Sequence, residues 1–145
     1  QRLIYELVLK AQNAGIKACI PGNEFKSTHN AAVEVISEGL VKLGIIKDPA
    51  DYKLYFMHGT SHYLGLDVHD AGTKSAFKSG NVITVEPGIY IPENSECEPK
   101  WWNIGIRIED DILITDQGPA NLSAEAPRNV EEIESLCARG SVINK

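Results

Sequence analysis

The chain has 145 residues, with 14 Lys plus Arg against 20 Asp plus Glu, a formal net charge of −6, and 43% hydrophobic residues. That balance is expected of one soluble domain with its own core, and the acidity excludes a general nucleic-acid partner, which needs a basic surface. No uncharged apolar run approaches the ~20 residues of a bilayer span, and charge lies inside the apolar pattern of the first ten residues, so a membrane span and a signal peptide are both excluded.

Leu3, Ile4, Leu7, Val8 and Ala11 recur at helical spacing, which predicts an amphipathic helix over residues 1–14 with Gly15 after its last turn. The chain opens on Gln1, not Met, already inside this pattern. It is therefore expected to be part of a longer protein, with a partner for the helix's apolar face upstream. Pro21 and Gly22 mark a turn, after which Ser27 or Thr28 can cap a second helix carrying Ala32, Val33, Val35, Ile36, Leu40 and Leu43 and ended by Gly44. Beyond Pro49 the texture changes to short glycine-punctuated segments. Strands are predicted over Leu54–Met57, Leu66–His69, Val82–Ile91, Ile104–Ile108 and Asp111–Thr115, with a turn at Lys74–Gly80 and a polar loop at Asn94–Lys100. Val130, Ile133, Leu136 and Cys137 give a closing helix whose early glutamates suit the helix dipole. The expected class is α+β: two helices, a mainly antiparallel sheet and a closing helix. Cys19, Cys97 and Cys137 form no CxxC pair, so free thiols in a reducing, cytoplasmic compartment are expected.

Three of the four histidines, His58, His62 and His69, fall within twelve positions of the run HGTSHYLGLDVHD. Imidazole is the commonest neutral-pH metal ligand and proton shuttle, and such clustering points to a site rather than to isolated core histidines. Two carboxylates stand in costly surroundings: Glu86 in VITVEPGIY and Glu109 at the end of IGIRIE. An ionised carboxylate is buried only when paired, hydrogen-bonded or bound to metal, so each is a candidate ligand. The alternative is that both point to solvent at strand ends. Pro87 interrupts the ladder directly after Glu86, as where a strand bends to aim a side chain. Arg107, two residues from Glu109 on one strand face, can form an ion pair with it; the alternative is that it faces substrate or orients a metal-bound carboxylate.

Together, HGTSHYLGLDVHD, TVEPGIYI and GIRIEDDILIT resemble, in that order, the three C-terminal signature segments of the pita-bread metallopeptidases, family M24, which include aminopeptidase P, prolidase and methionine aminopeptidase. They span residues 58–115, and the region from Pro127 to Leu136 also resembles that family's C-terminal end. Within the family, HGTSH followed by LGLDVHD is more similar to the Xaa-Pro aminopeptidase (aminopeptidase P) branch. The resemblance implies the C-terminal half of a pita-bread fold, a curved, mainly antiparallel sheet with helices on its outer face, so residues 1–145 are expected to be a truncated C-terminal portion of a catalytic domain. It implies that His62 and Glu86 ligate one metal, that Glu109 bridges two, and that Glu86 handles the proton. His58 and His69 would contact substrate and Arg107 would support the carboxylate network. Asp70, Asp110 and Asp111 match motif positions without an implied ligand role.

The activity implied is metal-dependent hydrolysis of an N-terminal Xaa-Pro bond, with prolidase or a non-catalytic peptide- or protein-binding module as alternatives. Two divalent ions are implied, Mn2+ first and Co2+ or Zn2+ next, together with a peptide substrate bearing proline second and a homo-oligomeric parent. The family also uses two aspartates from an upstream hairpin, and no acidic pair before His58 has that context. This chain is therefore expected to hold at most one ion, weakly, and to be inactive alone.

Overall fold

The computed structural model describes residues 1–139. The first helix, α1 (Arg2–Lys17), buries Ile4, Val8 and Ala11 as the periodicity predicts, along with Gln12 and Gly15. It runs through Gly15 instead of stopping there. A Cβ at that position would lie 3.0 Å from Val85 Cγ1 and 3.4 Å from Thr28 O, so glycine lets the helix lie close against a strand and a second helix. That contact outweighs the ~1 kcal/mol that glycine costs inside a helix.

The second helix, α2 (Ser27–Lys42), packs on α1. Neither Ser27 nor Thr28 caps it: both lie within the helix, and Thr28 donates its hydroxyl to Phe25 O at 3.2 Å. Gly44 ends it as expected, at φ 70°, with the Ile45 N–H reaching Leu40 O at 2.9 Å.

Two predicted strands are absent. Pro49–Leu54 is a turn of 3-10 helix started by the Asp48 carboxylate, which accepts the Ala50 N–H at 2.8 Å. Tyr55 and Phe56 after it are both buried, which consecutive residues of an alternating strand cannot be. Leu66–His69 is a bend, with Leu66 and Val68 exposed at 103% and 72%. The Asp70 carboxylate closes this loop by accepting the N–H groups of Leu66 (3.2 Å) and Ala71 (2.9 Å), and no strand offers it a ladder.

The predicted strand Val82–Ile91 is two strands, β1 (Val82–Val85) and β2 (Gly88–Ile91). The remaining strands are β3 (Ile104–Arg107), β4 (Asp110–Thr115) and β5 (Gly118–Asn121), the last not anticipated because it holds Gly118 and Pro119. All pairings are antiparallel, in sheets ordered β1-β4-β5 and β2-β3. The first ladder ends at Val85 opposite Asp110 and the second begins at Gly88 opposite Arg107. Glu86 and Pro87 thus face Ile108 and Glu109 across a gap, spanned by the Ile108 N–H to Pro87 O at 3.4 Å. Proline has no N–H to continue the ladder.

A larger core joins α1 and α2 to Ile89, Ile91, Ile104, Tyr55, Phe56 and Trp101, while Phe25, Phe77, Ile83, Val85, Ile112 and Ile114 form a smaller one under the first sheet. The closing helix, α3 (Val130–Ala138), is capped by Asn129 and tied to α1 by Arg2, which pairs with Glu131 and Glu134. Among the described residues no helix is long and apolar enough to cross a membrane.

Candidate metal centre

The gap between the two ladders carries the carboxylates. Glu86 and Glu109 leave the last paired rung, Val85 and Asp110, from opposite strands and converge with His62. One ligand atom from each of the three residues lies within 4.8 Å of the others. His62 reaches this point because the loop before it is laid along β1. Its own N–H donates to Thr84 Oγ1 at 3.1 Å, its carbonyl accepts the Thr84 N–H at 2.9 Å, and Thr60 O accepts the Glu86 N–H at 2.8 Å.

Hydrogen bonds orient two of the three candidate ligands, His62 and Glu86. His62 Nδ1 lies 2.9 Å from Tyr63 O, a contact that only Nδ1–H can make, and this turns Nε2 toward Glu86 Oε1 at 3.1 Å. A ring nitrogen and a carboxylate oxygen that close share a proton or a cation. A backbone carbonyl fixing the far nitrogen is also how metal-binding imidazoles are usually held. The Glu86 carboxylate is nearly buried, receives the Thr84 hydroxyl on Oε1 at 3.0 Å, and has the Arg107 guanidinium 3.4 Å from Oε2. Arg107 pairs with Glu86 and, among the described residues, not with Glu109, so the ion pair expected within its own strand does not form. Glu109 is exposed yet its carboxyl is pushed up, first by partial burial and then by the charges of Glu86 and Asp111. The imidazole and two carboxylates are a donor set suited to one divalent ion, and among the described residues no other such group occurs.

His58 and His69 stand beside this set. The His69 ring lies edge-on to His62 with centroids 4.2 Å apart. His58 donates Nδ1–H to Gly59 O at 2.7 Å and accepts the Tyr90 hydroxyl on Nε2 at 3.1 Å, while Tyr90 Oη accepts the Arg107 Nε–H at 2.6 Å. A chain of hydrogen bonds therefore runs from Arg107 through Tyr90 to His58. Sequence reasoning missed Tyr90 and Thr84. Both were findable, since period-two alternation along the predicted strand Val82–Ile91 places Thr84 and Tyr90 on the face of Glu86. His29 sits apart, with Nδ1 2.9 Å from Thr60 Oγ1 and its imidazolium disfavoured by burial and by His58.

The model of metallopeptidase family M24 matches residues 1–116. The chain belongs to that family. It is 44% identical over 148 residues to the Xaa-Pro aminopeptidase of Haemophilus influenzae, an alignment covering 94% of this chain and 34% of that protein. Among solved structures it resembles the aminopeptidase PepP of Pseudomonas aeruginosa, with a TM-score of 0.89 and 42% identity over 94% of this chain and 34% of the other. It also resembles Escherichia coli aminopeptidase P with the inhibitor Pro-Leu, with a TM-score of 0.88, 42% identity and the same coverage. The fold is thus the α+β pita-bread fold of these enzymes, and the chain spans about a third of the length of the relatives it matches.

Proposed function

We propose that this M24 chain is part of a metal-dependent Xaa-Pro aminopeptidase in which His62, Glu86 and Glu109 hold a divalent ion. The observation that carries the reading is the convergence of His62, Glu86 and Glu109, one possible ligand atom from each within 4.8 Å of the others, with His62 Nε2 3.1 Å from Glu86 Oε1. A second ion would draw on two aspartates of the longer protein, with Glu109 bridging both ions. This chain alone then holds at most one ion, weakly, and is inactive. The imidazole and carboxylate donors suit Mn2+, with Co2+ and Zn2+ as alternatives.

When bound, the ions supply Lewis acidity toward a peptide carbonyl and a nucleophile from water at neutral pH. The chain's own residues do the rest. Thr84 and Arg107 hold the two oxygens of Glu86, which takes up and returns the proton. His58, fixed between Gly59 and Tyr90, and His69, lying against His62, contact the substrate. A peptide with proline second is the substrate favoured by the name of the Haemophilus influenzae relative. Prolidase activity differs in accepting only dipeptides. The complete His62, Glu86 and Glu109 set argues against a non-catalytic module. We further place the parent protein as a homo-oligomer in a reducing compartment, the latter supported by three free cysteines.

Isothermal titration of Mn2+ into this chain is expected to give one weak site or none, and tight binding of two ions would overturn the partial-site reading. In the full-length protein, Glu109→Ala is expected to abolish hydrolysis of longer peptides with proline second while the fold is retained. Wild-type cleavage restricted to dipeptides would instead favour prolidase.

A further inference from the structure

Behind the carboxylates lies a buried polar group that neither the ligand set nor the substrate contacts use. Gln12 is fully buried in α1, and Asp110, the first residue of β4, has a fully buried side chain. Arg128 joins them: Nη1 donates to Gln12 Oε1 at 3.1 Å and lies 2.6 Å from Asp110 Oδ2. Gln12 Nε2–H in turn donates to Val85 O at 3.3 Å. Arg128 is itself anchored, since its carbonyl accepts the Tyr5 hydroxyl at 2.9 Å.

These contacts close on one rung of the sheet. Val85 and Asp110 are the last pair of the β1–β4 ladder, and the next residue on each strand, Glu86 and Glu109, is a proposed metal ligand. The peptide joining Val85 to Glu86 is gripped at both ends, its carbonyl by Gln12 and its N–H by Thr60. On the other strand, Asp110 is held by Arg128. Because neighbouring residues of a strand project to opposite faces, a fixed Asp110 fixes the direction in which Glu109 leaves.

We infer that Arg128 is a positioning residue: by clamping Gln12 and Asp110 behind the last rung, it sets the separation of the Glu86 and Glu109 carboxylates and hence the affinity and geometry of the metal site. The inference rests on those two glutamates being ligands. It does not require Arg128 to touch metal or substrate, and it assigns a role to a residue 18 positions beyond Asp110 and outside the span matched by the family model.

The test uses the full-length protein loaded with Mn2+ for titration calorimetry and with Co2+ for its visible absorption. Arg128→Met is expected to weaken Mn2+ binding about 10- to 100-fold, the range seen when supporting partners of metal ligands are removed, and to shift the cobalt bands. Arg128→Lys restores a cation at Asp110 and is expected to recover most of both. Arg2→Met serves as control, because it frees α3 from α1 at Glu131 and Glu134 without touching Asp110; it is expected to bind metal as wild type does. Should Arg128→Met fail to fold, Arg128→Gln carries the same expectation. Unchanged affinity and bands in the Arg128 variants overturn the inference, and so does an equal loss in Arg2→Met, which would trace the effect to helix docking. A wild-type protein that binds no metal overturns the proposed function itself, a separate outcome.

Discussion

Glu109 and Asp110 are neighbours on one chain with opposite fates. Asp110 is the more deeply buried, yet it has a resident cation: burial pushes its carboxyl up and Arg128 is the first influence pulling it back. Glu109 is exposed and faces other carboxylates: partial burial, then the charges of Glu86 and Asp111, push its carboxyl up, and the Arg107 guanidinium comes after them in opposing the shift. One face of the strand has a cation of the protein's own beside its carboxylate, although neither Asp110 oxygen has a hydrogen-bond partner among the described residues; the other carries the carboxylate proposed to receive a diffusible ion. Burial alone therefore does not mark the site. What marks it is a carboxylate whose compensation the fold withholds, the signature expected where function outranks stability.

The contrast can be broken from either side. Arg128→Met strands the buried Asp110 and is expected to cost about 2–4 kcal/mol of stability, read as a lower midpoint in chemical denaturation. Glu109→Gln removes a ligand without stranding anything and is expected to weaken Mn2+ binding at least ~100-fold, measured by calorimetry. The same substitution relieves repulsion with Glu86 and Asp111, so metal-free Glu109→Gln is expected to melt about 1–2 °C higher than wild type. If the variant melts lower, the unfinished-face reading fails.

A smaller effect belongs to His29. Burial, followed by the charge of His58, holds its imidazole below the usual range. The unfolded chain then binds a proton that the folded chain refuses, so this contribution to stability is complete above pH ~6.5 and declines as pH falls toward the depressed native value. In metal-free protein, the drop in melting temperature between about pH 7.5 and 5.5 is expected to be shallower in His29→Gln. Equal slopes in variant and wild type would remove His29 from the acid response.

That His62, Glu86 and Glu109 belong together was legible in the sequence, because they lie in three short motifs whose residue types carry the chemistry. Pro87 announced the gap through its missing N–H, and Glu86 beside it was conspicuous among Val82, Ile83 and Val85. The buried side was not legible. Gln12, Asp110 and Arg128 come from a helix, a strand and the segment before α3, and no local spacing relates them. Gly15 was misread for the same reason: its meaning lies in Val85, seventy residues away. Leu66 and Val68 suggested a strand by composition, but a strand needs a partner edge and apolar cover, and Asp70 closes the loop before either is available.

The break between the ladders at Pro87 also affects how the molecule breathes. The β1–β4 and β2–β3 ladders are tied by a single long backbone bond, so in the absence of metal their amides are free to open toward solvent exchange as separate units. An ion held by Glu86 and Glu109, as proposed above, would land on that break and join the strands where hydrogen bonding cannot. Loading the proposed site would then merge two exchange-protected blocks into one, so that the ion would serve as a structural rivet as well.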